Sequence, residues 1–146
     1  MCAVHAEEPS VPPELQQWAD KFVAGWNRND ARALASLWAD DGDLINPFGR
    51  RATGREAIER LLQSEHTALM KGTRYEITKI AARAVKTDVA VLDWDCEVSG
   101  MKTAEGKDRP PFKHHVAWVL VHRGGQWLAL AARTSAPSPA PAEALR

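Results

Sequence analysis

Two histidines stand in apolar surroundings where a proton-moving group would be useful. His66 shares a helical stripe with Ile58, Leu61, Leu62 and Leu69, and His114 alternates with Val116, Trp118 and Leu120. Each is therefore expected to be withdrawn from water, and an imidazole titrating near neutrality inside a pocket can serve as a general acid or base. The same placement also suits a histidine that only hydrogen-bonds within a core. His114, on the face richer in large apolar residues, is the better placed of the two. His115 beside it points to the opposite side of a regular strand, so the two cannot chelate one ion, and no H-E-x-x-H or equivalent spacing occurs elsewhere. Neither a metal nor a cofactor is expected.

Asp93 and Asp95 lie two residues apart on one strand and so share a side, an arrangement able to hold an acid and a base at separate pKa values. Glu97 continues their row, with Lys113, His115 and Arg133 on the neighbouring strands, and a solvated or intersubunit charge row is the plainer reading. Arg133 pairs with these acids or, if the last strand bulges, turns its guanidinium toward an anionic ligand group. Trp26, Trp38, Trp94 and Trp118 either pack as core or converge as a broad apolar wall for a planar ligand.

The elements that must position these groups follow from periodicity. Leu15, Trp18, Ala19, Phe22, Val23 and Trp26 repeat at i, i+3, i+4 and i+7 after Ser10 and Pro12-Pro13, which marks a first helix. Asn29-Asp30 breaks it and offers an N-cap to a shorter helix carrying Leu34, Leu37 and Trp38, closed by Asp40-Asp41-Gly42. Asp43 to Asn46 with Pro47-Phe48-Gly49 reads as a small hairpin. Thr53-x-x-Glu56 has the spacing of a capping box, and the helix it opens is expected to end near Lys71-Gly72. Tyr75 to Val85, Val89 to Ser99, Phe112 to Arg123 and Gln126 to Thr134 alternate with period two and predict an antiparallel meander.

Parity sorts the strands into two faces. Leu92, Trp94, Cys96, Val98, His114, Val116, Trp118, Leu120, Leu128, Leu130, Ala132 and Thr134 should face the helices. Asp93, Asp95, Glu97, Lys113, His115 and Arg133, with small Ala117, Val119, Ala129 and Ala131, should face away. A bulge would exchange the faces of its strand from that point on. The order predicts an α+β fold with three N-terminal helices covering one face of a mainly antiparallel sheet.

Lys plus Arg and Asp plus Glu number 19 each, for a net charge of zero. No excess of basic side chains exists to neutralise phosphates, which argues against nucleic acid and anionic membrane surfaces as partners. A chain of 146 residues suits one domain, placed at 13–135, and such a length buries roughly 68–70% of its unfolded surface without disulfides or metal. No apolar run approaches the ~20 residues of a membrane span. Cys2 and Cys96 make no disulfide framework, and Cys96 reads as a small buried hydrophobe. Residues 1–12 are expected to be flexible, and the Pro- and Ala-rich stretch 136–146 to be disordered. Met1 to Ala6 is too short for a secretory signal, although Val4-His5-Ala6 resembles the end of one, which leaves a cytoplasmic or an exported protein open.

The run Trp26-Asn27-Arg28-Asn29-Asp30, with Ala33 to Trp38, Asp40 to Gly49, Gly54-Arg55-Glu56-Ala57-Ile58 and Gly125-Gln126-Trp127-Leu128, resembles the nuclear-transport-factor-2-like superfamily. Within it the chain is most similar to small SnoaL-like proteins of the SgcJ/EcaC group, over residues 14 to 135. The resemblance implies a cone-shaped, cystatin-like fold with a curved sheet, a pocket between helices and sheet, and commonly a homodimer through the convex sheet face. It implies no single activity, because the superfamily includes isomerases, cyclases, dehydratases, epoxide hydrolases and non-catalytic binding modules. In its ketosteroid isomerase branch the hairpin ends in a proton-moving aspartate and the first helix carries an oxyanion-binding tyrosine. The matching positions here hold Asn46 and Phe22, and the strand around Val116 to Trp118 has no acid. An amide is no base and a phenyl ring no donor, so that isomerase chemistry is not expected.

Two functions follow. One is binding of a small, largely apolar or aromatic molecule in a pocket lined by Phe22, Trp26, Trp38, Trp94 and Trp118 and polarised by Asn46, His114 and Arg133. The other is a small cofactor-independent enzyme, a lyase, cyclase or hydratase, in which His114 or His66 moves the proton.

Overall fold

Apolar residues at helical spacing place α1 (Pro13–Asn27) where periodicity predicts it, with Leu15, Trp18, Ala19, Phe22 and Trp26 buried along one stripe. The computed structural model describes residues 10–138, so the expectations for the chain ends beyond them lie outside the described residues. Asn29, at φ 59°, turns the chain, and Asp30 caps α2 (Ala31–Ala35) by accepting from the Ala33 N–H at 3.0 Å.

That second helix is shorter than expected. Leu37 and Trp38 lie beyond it, and Trp38 begins β1 (Trp38–Ile45) instead. The Leu37 carbonyl accepts from the Ala129 N–H at 2.8 Å and from the Trp18 indole at 3.3 Å. The sheet and α1 thus stop the helix by satisfying this backbone group from outside it.

β1 turns into β2 (Arg51–Thr53), and α3 (Arg55–His66) follows. The expected capping box is absent. Thr53 is committed to the ladder opposite Asp43, and Gly54, at φ 88°, is the N-cap without any side-chain bond. Glycine enters that left-handed turn without a Cβ penalty. Because α3 ends at His66, the helical stripe does not extend to Leu69, which is 40% exposed, and Met70 occupies the buried position in its place.

β3 (Arg74–Lys86), β4 (Val89–Ser99), β5 (Phe112–Arg123) and β6 (Gln126–Ser135) form the antiparallel meander. The hairpin joins it, giving a six-stranded sheet in the order β2-β1-β6-β5-β4-β3 with β1 parallel to β6. The result is an α+β fold of three helices and a mixed, mainly antiparallel sheet.

One bulge changes the sorting of faces. The register slips so that Leu120 pairs with Ala129 while Val119 pairs with Ala131, and Leu130 has no partner. Ala129, expected outside, is therefore in the main core, whereas Leu128 pairs with Val121 apart from that core. The neighbouring strand answers this kink with an irregularity between Trp38 and Asp43. There a Cβ on Gly42 would stand 2.6 Å from the Ala129 carbonyl oxygen.

The core is dominated by rings. Trp18 meets Trp118 edge-on at 4.8 Å, and Trp94 and Phe22 approach Trp118 at 5.0 and 5.3 Å. Such pairs add about 0.5–1.5 kcal/mol each beyond their buried area. Cys96 is buried among them as expected, its thiol pushed up to about 11 by burial.

Candidate functional site

The packed rings leave a cavity of about 40 Å³ between the helices and the inner sheet face, room for roughly two or three water molecules. Phe22 and Trp26 reach it from α1, Trp38 and Leu44 from β1, and Val116 and Trp118 from β5. Its polar lining comes from Asn46, Glu65, Tyr75, His114 and Thr134, and among the described residues no Lys or Arg side chain takes part.

Asn46 closes the β1 strand. Its Oδ1 accepts from the backbone N–H groups of Phe48 at 3.0 Å and Arg50 at 2.8 Å, a local turn that Pro47 favours by holding Asn46 extended. The amide nitrogen is left to aim at α3, where Glu65 Oε1 accepts it at 2.7 Å. Burial pushes the Glu65 carboxyl above the usual range, against the Asn46 bond and the charge of Arg50.

His114 enters the wall from β5 and is 7% exposed. Burial pulls its imidazole below the ordinary value, against a Phe112 backbone bond that raises it, and the charge of His115 lowers it further. Its Nδ1 has no partner among the described residues. An acid shifted up and an imidazole shifted down thus face one small space, the condition under which a protein divides acid and base roles.

Phe22, Trp26, Trp38, Asn46, His114 and Trp118 all come together on this wall, whereas three other expected site residues lie outside it. His66 is sealed in the core, with Nδ1–H donating to the Leu62 carbonyl at 2.9 Å and the ring 4.4 Å from Trp26. Burial lowers its pKa too. Trp94 sits behind the wall, donating to the Tyr75 hydroxyl at 2.7 Å, and Tyr75 in turn donates to Cys96 Sγ at 2.9 Å. Arg133 is exposed and grips Asp43 through two bonds of 2.7 and 3.0 Å, pairing with neither Asp93 nor Asp95. Those two acids instead clamp His115, at 3.1 and 2.9 Å, on the outer face. Among the described residues no three His, Cys, Asp or Glu side chains gather as a metal set.

Glu65 and Tyr75 were not anticipated, although both obey the local rhythm. Glu65 follows Ile58, Leu61 and Leu62 on one helical stripe, and Tyr75 shares inward parity with Ile77. A carboxylate in an apolar stripe was the available signal.

With this geometry in view, residues 19–130 match the family described as the SnoaL-like domain. The chain belongs to the SnoaL-like domain family. No curated protein matches it. Among solved structures, an uncharacterised cystatin-like protein from Caulobacter vibrioides is 21% identical with a TM-score of 0.76, over 86% of this chain and 89% of that one. An NTF2-like protein with a cystatin-like fold from Novosphingobium aromaticivorans is 22% identical, TM-score 0.74, covering 90% and 85%. A further Novosphingobium aromaticivorans protein, named as a candidate scytalone dehydratase, is 19% identical, TM-score 0.73, covering 86% and 83%. At such identities the likeness establishes the fold alone: this SnoaL-like domain has the cystatin-like architecture of the nuclear-transport-factor-2-like superfamily.

Proposed function

We propose that this SnoaL-like domain binds a small, uncharged, largely apolar or aromatic molecule between its helices and sheet. The observation that carries this reading is the lining, in which rings of Phe22, Trp26, Trp38 and Trp118 share one space with a few polar groups and, among the described residues, no Lys or Arg. Ligand sites combine such apolar walls with sparse polar anchors. The space is smaller than the about 150 Å³ that admits a benzene ring, so the ligand must widen it, and the apparent affinity falls by the fraction of molecules that open. Planar apolar compounds should quench indole fluorescence and raise the melting temperature with concentration. A broad set that does neither would leave the rings as a filled core.

A second reading, a cofactor-independent lyase, cyclase or hydratase, is supported by the opposed shifts of Glu65 and His114 on the same wall. His114 is then the base, and His66, outside the wall, takes no part. A bell-shaped rate against pH that His114→Gln abolishes, with binding retained, would favour catalysis over binding alone.

A further inference from the structure

We infer that the turn between β1 and β2, residues 46–50, is the door of the cavity, and that Phe48, stacked on Phe112, is its latch. The inference rests on the cavity-binding reading and adds how that site is opened.

The cavity approaches solvent on one side. Of its lining residues, Pro47, Glu65 and Thr134 are half-buried and all the others are buried. These three lie on the turn after β1, in the last turn of α3 and near the end of β6. Phe48, next to Pro47, is 52% exposed. Its ring stacks on Phe112, with centroids 6.0 Å apart and planes inclined by 26°. Phe112 in turn lies 4.8 Å from the His114 ring, which is on the cavity wall. A row of three rings thus runs from the surface to the site, with Phe48 at its outer end. One exposed apolar ring is ordinary on a protein surface, but this one joins the turn to the start of β5 beside the opening.

Of the elements around the opening, the turn is the one built to swing. β5 and β6 each have a paired strand on both sides, whereas β2, the outer arm of the turn, is a three-residue strand at the sheet edge. The backbone bonds of the turn are internal. Asn46 N–H donates to the Arg50 carbonyl at 2.9 Å and Gly49 N–H to the Asn46 carbonyl at 3.0 Å, while Asn46 Oδ1 accepts from Phe48 and Arg50. The turn therefore moves as one piece. Among the described residues, its ties to other elements are the Asn46–Glu65 bond and the Phe48–Phe112 stack. Swinging outward carries Asn46 and Pro47 off the wall and widens the cavity toward solvent. An aromatic pair is worth roughly two- to tenfold in an equilibrium constant, so the stack holds the closed form by about that factor. The fraction of open molecules then limits how readily a ligand binds.

The test follows binding of 2-naphthol, a flat neutral ring system, to the full chain by stopped-flow quenching of indole fluorescence. Wild type is compared with Phe48→Ala and with Val85→Ala. Val85 is 57% exposed in the half of β3 away from Phe112, and controls for the loss of an exposed apolar side chain. Phe48→Ala should speed association by about two- to tenfold and tighten binding by a similar factor, with dissociation unchanged, because the bound state already holds the turn open. Val85→Ala should match wild type. Phe48→Leu keeps apolar bulk without the stack, should act in the same direction, and replaces Phe48→Ala if that variant does not fold. Association left unchanged by Phe48→Ala, or raised equally by Val85→Ala, would overturn the latch while leaving the cavity reading intact. Weaker binding through faster dissociation would overturn it too, since Phe48 would then be a contact of the bound molecule. Quenching of neither wild type nor Phe48→Ala would overturn both.

Discussion

The side-chain amide of Asn46 donates to the Glu65 carboxyl at 2.7 Å while its oxygen accepts from the Phe48 and Arg50 backbone. The amide donates in one direction and accepts in the other, which an ionised carboxylate of the same shape cannot do. Asn46→Asp removes the donor and sets two carboxyls at a distance where both cannot ionise. The expected outcome is a pair holding one shared proton, with its upper midpoint above that of Glu65 in the wild type and a stability loss of about 1–3 kcal/mol at neutral pH. Adding Glu65→Gln returns a donor to the pair and should recover most of the loss. Denaturant unfolding of the single and double variants checks this, and additive losses would show that the two side chains are not coupled.

Histidine titration should divide by environment. His66 and His114, both lowered chiefly by burial from 6.5, bind fewer protons folded than unfolded below that value, so stability falls as the pH drops below 6.5 toward their folded values. His115 is raised, first by its bond to Asp95 and also by Asp93, against some burial. Its contribution is complete below 6.5 and is lost as the pH rises through its folded value. Proton NMR of the imidazoles should therefore find His115 charging above 6.5 and the other two below it. A His114 that charges at 6.5 or above would show that burial does not govern its ring.

Gly42→Ala should destabilise the fold by about 1–3 kcal/mol, as overpacking against rigid backbone does. Its Cβ would sit 2.6 Å from the Ala129 carbonyl and 2.9 Å from the Trp38 ring. Thermal unfolding reads the effect, and a loss below about 0.5 kcal/mol would show that the β1 irregularity relaxes.

The outer sheet face pairs Lys113 with Glu97 at 3.5 Å and His115 with Asp93 and Asp95, among half-buried Ala117, Val119 and Ala131. Small residues framed by both signs of charge suit a second copy of this chain packed face to face. Light scattering should give about twice 16.1 kDa, and Ala131→Glu should shift the chain toward monomer. A wild type that stays monomeric at high concentration would rule the interface out.

Local periodicity determined that Phe22, Trp26, His114 and Trp118 face inward, whereas Asn46 is assigned to the site through the family resemblance and Trp38 reaches it from a strand where periodicity predicts a helix. The α-helical and β periods depend only on neighbours a few residues away, so α1, β4 and β5 could be placed closely from the chain alone. Glu65 was within reach of the same reasoning, since it falls on the stripe of Ile58, Leu61 and Leu62. The tertiary structure decided what depends on contacts far apart in the chain. α2 stops because Ala129 and Trp18 bond the Leu37 carbonyl. Ala129 joins the main core and Leu128, though buried, packs apart from it because β6 bulges at Leu130, a backbone slip that the alternation of residues does not encode. Arg133 faces out as parity places it, but its partner there is Asp43, 90 residues earlier, and not Asp93 or Asp95. The size of the cavity was beyond any pattern in the chain. Whether the rings fill a core or leave a space depends on centroid distances near 5 Å between helices and strands, and only close packing in three dimensions sets those distances.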